Sequence, residues 1–150
     1  MRGLSFETEV LGLDPSLARI GDLRDIEIDD LAFEVGALIE DQAKLRIDEE
    51  KAAPDGTPWV AWSEAYDETR NHAVHSLLVD VGQPGLMSSI ANVSRGPVAR
   101  VGSNLPYAAV HQFGSEDEGG IPARPYLGTS AKGAAQILDL IGTRIEELLA

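Results

Sequence analysis

The segment from Glu27 to Glu50 places the tightest limit on what this chain can fold into. Ile28, Leu31, Val35, Leu38, Ile39 and Leu45 recur at spacings of three and four. On a helix that spacing makes one apolar stripe, while Asp29, Asp30, Glu34, Glu40 and Asp41 occupy much of the remaining surface. A long helix of this kind has to bury its stripe against another layer. The acids near its start complement the helix dipole; Asp48, Glu49 and Glu50 lie at the end where the dipole disfavours them. That end is expected to fray or to meet a basic partner.

A second helix is predicted from Thr129 to the C-terminus, with Ile137, Leu138, Ile141, Ile145, Leu148 and Leu149 as its apolar face. Gly133 and Gly142 weaken it by roughly 1 kcal/mol each relative to alanine. Strand signals lie before and between the two helices. Ser5 to Leu11 alternates, with Phe6, Thr8 and Val10 on one face and Glu7 and Glu9 on the other. Asp14-Pro15 then reads as an N-cap and first helical position, opening a short helix that ends near Asp25. Pro54-Asp55-Gly56 is a turn by residue type. His72 to Asp80 leads through Leu77, Leu78 and Val79 to a Gly82-Gln83-Pro84-Gly85 break. Leu86 to Val93 reads as a lead-in and a strand, Arg95-Gly96 as a turn, and Val98 to Val101 as the return strand of a hairpin. Tyr107 to Phe113 follows Pro106 as a short helical turn. Ser115 to Gly120, SEDEGG, is an acidic loop expected to be flexible. The sum is an α+β protein: a small antiparallel sheet packed with a long N-terminal helix and a C-terminal helix. A length of 150 residues suits one domain, 1–150.

Composition removes several function classes. The formal net charge is −13. Phosphate contacts need clustered Lys and Arg, so specific DNA binding is not expected. An acidic wall could let DNA slide past without sticking; acidic surfaces also simply keep proteins in solution. Cysteine is absent, which excludes disulfides and thiolate metal sites and fits assembly in a reducing cytoplasm. No apolar run reaches the ~18 residues of a membrane span, and MRGLSFETEV lacks a signal-peptide core. The expectation is a soluble protein with no membrane partner.

Reactive constellations are sparse. The sequence has no GxSxG, no GxGxxG and no Walker loop. His72 and His75 could share a helical face, but no HExxH frame or carboxylate set accompanies them, so neither a metal nor another cofactor is expected. The carboxylates lack DxDxDG spacing and read as solvated surface. His111 lies within apolar YAAVHQFG and reads as a partly buried, hydrogen-bonded residue rather than a base.

What remains is a set of ordered motifs. The chain carries Pro54-Asp55-Gly56-Thr57-Pro58-Trp59, then Leu77 to Gly82, then Leu86-Met87-Ser88-Ser89-Ile90. It continues with Val101-Gly102-Ser103, Tyr107-Ala108-Ala109-Val110-His111-Gln112-Phe113-Gly114, and Ile121-Pro122-Ala123-Arg124-Pro125-Tyr126-Leu127-Gly128. In this order and spacing the chain resembles the virion morphogenesis or tail completion proteins of tailed phages, Mu-like ones especially, from Ser5 to the C-terminus. It departs from them at Gln83-Pro84-Gly85, and at Met87, where a basic residue is usual. The resemblance implies a non-enzymatic structural virion protein at the head–tail joint that completes the tail and permits head joining. Sixfold tail symmetry implies a hexameric ring, with other neck and tail proteins as partners and genomic DNA passing nearby. Two other readings stay open: a morphogenesis factor absent from the mature virion, and a metal-dependent hydrolase built on His72 and His75.

The candidate subunit or partner interface comprises Trp59, Trp62, Tyr107, His111, Phe113, Arg124 and Tyr126. Gly102, Gly114, Pro122, Pro125 and Gly128 are motif residues with a structural part. Trp59 and Trp62 share one loop; they either pin it to the core or form a contact surface. Pro122 and Pro125 hold the backbone extended around Arg124. Its guanidinium either ties back to the acidic N-terminal helix or meets a neighbour. Gly114 and Gly128 are expected at positive φ.

Overall fold

The long helix closes its stripe over a three-stranded antiparallel sheet, as its periodicity requires. The computed structural model describes residues 4–8, 28–82, 85–117 and 119–149. In chain order its elements are strand β1 (Leu4–Thr8), helix α1 (Ile28–Leu45), and short helices α2 (Glu64–Asp67) and α3 (Leu86–Ser89). Strands β2 (Ala91–Asn92) and β3 (Ala99–Ser103) follow, then helices α4 (Ala108–Phe113) and α5 (Ala131–Leu149). Glu9 to Leu11, the helix expected from Asp14 to Asp25, and Glu27 lie outside the described residues.

Leu31, Val35, Ile39, Ala43 and Ile47 form the buried line of the long helix, each four residues after the last. Leu45, expected in the stripe, is instead 41% exposed, because it falls on another side of this line. After Leu45 the helix widens into a π-helical turn, Arg46–Glu50, and Lys51 ends it in the left-handed region at φ 51°. The Lys51 N–H donates to the Arg46 carbonyl at 2.9 Å. The basic partner sought for the acidic end comes from the same turn: Arg46 Nε lies 3.7 Å from the Glu50 carboxylate.

The sheet order is β1-β3-β2. Leu4 stands opposite Ser103 and Thr8 opposite Ala99, while Ala91 faces Gly102. The central strand encloses Ala99, Val101 and Ser103. The expected hairpin is present: Val93 N–H donates to Arg100 O at 2.8 Å, and Arg95 and Val98 exchange bonds nearer the turn. Its first arm is shorter than expected. Leu86 to Ser89 forms a helical turn, because Leu86 and Ile90, four apart, are both buried by that geometry.

Helix α5 lies beside α1 and buries Ile137 and Ile141. Leu138 was expected on the same face but is 68% exposed; a step of one residue turns it about 100° from Ile137. The side chains of Leu148 and Leu149 lie outside the described residues. The acidic loop is closed at its base by an antiparallel bridge between Ser115 and Ile121, with Glu118 outside the described residues.

Candidate functional site

Three of the motif segments, 54–59, 107–114 and 121–128, converge where the end of the long helix meets the loop after it. Asp55 caps its turn by accepting from the Thr57 N–H at 2.9 Å, and Trp59 N–H donates to Lys51 O at 2.9 Å. These bonds aim Trp59 inward. It is buried, and its Nε1 donates to Pro125 O at 2.9 Å. Arg124 returns the tie: Nε donates to Val60 O at 2.8 Å and Nη2 to Ala61 O at 3.2 Å. Its own N–H donates to His111 O at 2.7 Å.

Arg124 is only 6% exposed. It does tie intramolecularly, but to carbonyls of the tryptophan loop and not to carboxylates of the N-terminal helix. The helix supplies a different arginine to this region. Arg46 is buried, and its Nη1 donates to Tyr126 O at 2.7 Å and Gly128 O at 3.3 Å. Its Nε has no hydrogen bond, so Glu50 compensates it by charge alone. Burial disfavours the Arg46 charge and Glu50 opposes that effect.

Helix α4 completes the frame. Gln112 Oε1 accepts from the N–H groups of Tyr126 and Leu127, both at 3.0 Å, and its Nε2 donates to Leu127 O at 3.1 Å. Tyr126 is fully buried, and its hydroxyl donates to Ala108 O at 2.9 Å. Gly114 and Gly128 have φ of 77° and 143°. A Cβ on Gly114 would stand 2.8 Å from Ala123 N, so both the turn and the close approach require glycine. Gly102 is enclosed in the central strand.

Other motif side chains point outward. Phe113 is 68% exposed and Tyr107 41%. Trp59 therefore pins its loop, but Trp62 does not: it is half-buried and meets Tyr66 and His72 edge-on, at centroid distances of 5.7 and 6.1 Å. Arg70 lies over the Tyr66 ring at 4.5 Å. Val60 and Val74 are exposed on the same loop.

His111 is half-buried, with Tyr107 edge-on at 5.7 Å and a buried Nδ1 that has no hydrogen-bond partner. Burial first, and the Arg124 charge second, hold it below the ordinary imidazole range. Folding therefore favours the neutral ring. Its contribution to stability is present above the ordinary histidine value and is lost as pH falls below it. The other two histidines bind separate carboxylates, His72 to Asp67 and His75 to Asp80, each at 3.1 Å. Among the described residues no three His, Cys, Asp or Glu side chains converge as a metal site.

Sequence reasoning missed Arg46 and Gln112 as frame residues. Arg46 had a signal: it follows Ile39 by seven and Ala43 by three, which puts a charge on the buried side of the helix. Gln112 had none beyond its place in the motif.

The pattern of the phage virion morphogenesis family matches residues 12–146. The chain belongs to the phage virion morphogenesis family. It is 34% identical over 110 residues to "Putative capsid assembly protein G" of Escherichia phage Mu, covering 67% of this chain and 69% of that protein. It is 30% identical over 134 residues to "Mu-like prophage FluMu G protein 1" of Haemophilus influenzae, covering 88% and 86%. No solved structure shows significant similarity to this virion morphogenesis protein. The family pattern spans every element of the frame. No helix among its described residues is long and apolar enough to cross a membrane.

Proposed function

We propose that this phage morphogenesis protein is a structural, non-enzymatic part of the head–tail joint. It completes the tail and permits head joining, as a ring of copies touching other neck and tail proteins. The observation that carries this reading is the division of labour in the motif region. Arg124, Tyr126, Trp59, Gln112 and Arg46 spend their polar groups inward on main-chain atoms, while Phe113, Tyr107 and Trp62 remain at the surface. A rigid frame presenting aromatic side chains suits docking, where a few such residues dominate binding. The acidic surface lets genomic DNA pass without specific binding. A ring of copies, each with net charge −13, repels itself, so it forms on the tail rather than in free solution.

The Mu relative's name refers to capsid assembly, which favours a second reading: a factor that acts on heads and leaves. Quantitative mass spectrometry of purified virions separates the two. Copies in multiples of six per particle support the joint; absence from virions supports the departing factor. Particles made without the protein are expected to accumulate as full heads beside unjoined tails. Malformed heads would move its action to the capsid.

Phe113→Glu is the sharper test. The side chain is exposed, so the variant should melt within about 2 °C of the parent, since surface changes stay near ±0.5 kcal/mol. Plaque formation by complementation should nevertheless collapse, because a hot-spot contact worth ~2 kcal/mol is lost in every subunit. Full complementation would remove Phe113 from the interface.

A further inference from the structure

The longest helices, α1 and α5, leave an open cleft of about 480 Å³ between them, on a part of the protein not used by the motif frame. Clefts that seat ligands run ~300–1,000 Å³, so this one has room for a few side chains. Ala37 and Leu38 of α1 and Leu140 of α5 form its apolar floor. Phe33, 54% exposed, precedes Ala37 by one helical turn and extends the apolar surface. Each end is closed by a tie between the helices. At one, Arg144 holds Glu34 in a bidentate pair at 2.9 and 2.6 Å. At the other, Gln42 Nε2 donates to Gln136 Oε1 at 3.0 Å. Between the ties stand two exposed carboxylates, Asp41 on one wall and Asp139 on the other. Neither has an ion-pair or hydrogen-bond partner among the described residues.

We propose that this cleft is a docking site for a basic, apolar segment of a partner protein, its apolar side chain on Leu38 and Leu140 and its Lys or Arg side chains on Asp41 and Asp139. Charge complementarity selects the occupant. A second copy of this chain would bring a net charge of −13 to a rim that is already acidic, and nucleic acid would bring phosphates to it. A cationic segment instead gives both free carboxylates partners while covering the half-buried floor. The site is independent of the aromatic surface, and it holds wherever in the particle the protein acts.

The test uses the full chain, isotope-labelled for NMR, with a short synthetic peptide of alternating leucine and lysine at ~150 mM salt, where diffuse attraction is screened. Shifts should centre on Ala37, Leu38, Asp41, Asp139 and Leu140, and a peptide of alternating leucine and glutamate should cause none. The pair Asp41→Asn and Asp139→Asn should weaken binding about tenfold, as two partly exposed ion pairs predict. The pair Asp48→Asn and Glu49→Asn removes equal charge from elsewhere on the helix and should leave binding within about twofold. Equal losses in the two pairs would reduce the effect to bulk charge and overturn the proposal. Absence of shifts at Leu38 and Leu140 would mean the cleft is already covered by this chain, and would overturn it too. Self-association of the chain that Leu38→Glu abolishes would assign the cleft to a second copy.

Discussion

Replacing Tyr126 with alanine is expected to lower stability by about 4 kcal/mol, in the range for a large aromatic side chain removed from a core. At ~2–4 °C per kcal/mol for a chain of this size, the melting temperature should fall by roughly 8–16 °C. The ring is fully buried, and two other segments hold the residue: α4 takes its hydroxyl on Ala108 O and its N–H on Gln112, and the end of the long helix takes its carbonyl on Arg46. Burial pushes the phenol well above its ordinary range, so it stays a protonated donor across working pH. Tyr126→Phe keeps the volume and loses one hydrogen bond, so it should cost only about 1 kcal/mol. Calorimetry on the two variants separates packing from the bond. An alanine variant that melts within 2–4 °C of the parent, about 1 kcal/mol, would show that the cradle is not a unit of the core.

Arg124→Ala is the second large effect. The variant takes a charged donor from the carbonyls of Val60 and Ala61, both in partly buried bonds, and hydrogen bonds to a charged group contribute ~1.5–3 kcal/mol. A loss of about 3 kcal/mol is expected. The tryptophan loop should loosen with it, seen as faster amide exchange from Val60 to Ser63. Arg124→Lys should recover little, because an ammonium cannot present two donors in a fixed plane. Thermal melts and complementation are to be read together. Lower stability with reduced plaque formation is the expected pair. Wild-type stability with failed complementation would return this arginine to an external contact.

Much of this architecture was legible because it rests on period. The stripe of α1 and the core face of α5 follow spacings of four, and the hairpin follows its turn residues. On the helices the differences have one cause: apolar type alone does not fix the angle at which a residue leaves the helix axis. Leu45 and Leu138 are apolar by type, yet both fall beside the buried line, not on it. Leu86 and Ile90 carry a helical spacing inside a stretch that reads as a lead-in and a strand. The site was legible as an ordered motif, but its inner and outer residues were not. Phe113 and Tyr126 look alike in sequence and lie at opposite extremes of exposure. That difference is set by contacts between segments far apart in the chain, which no local pattern encodes. The wide turn at Arg46–Glu50 likewise had no signature; it is what turns a charge on the buried side toward the carbonyls of Tyr126 and Gly128.

The grips of the frame close on main-chain atoms. Trp59, Arg124, Arg46 and Gln112 hold carbonyl oxygens or amides of Pro125, Val60, Ala61, Tyr126, Gly128 and Leu127. A backbone oxygen is the same whatever side chain stands beside it. Val60 and Ala61 can therefore change identity without releasing the hand that holds them. Mutational drift can rewrite the outer lettering of the loop to match a changing neighbour, while the scaffold beneath keeps its shape.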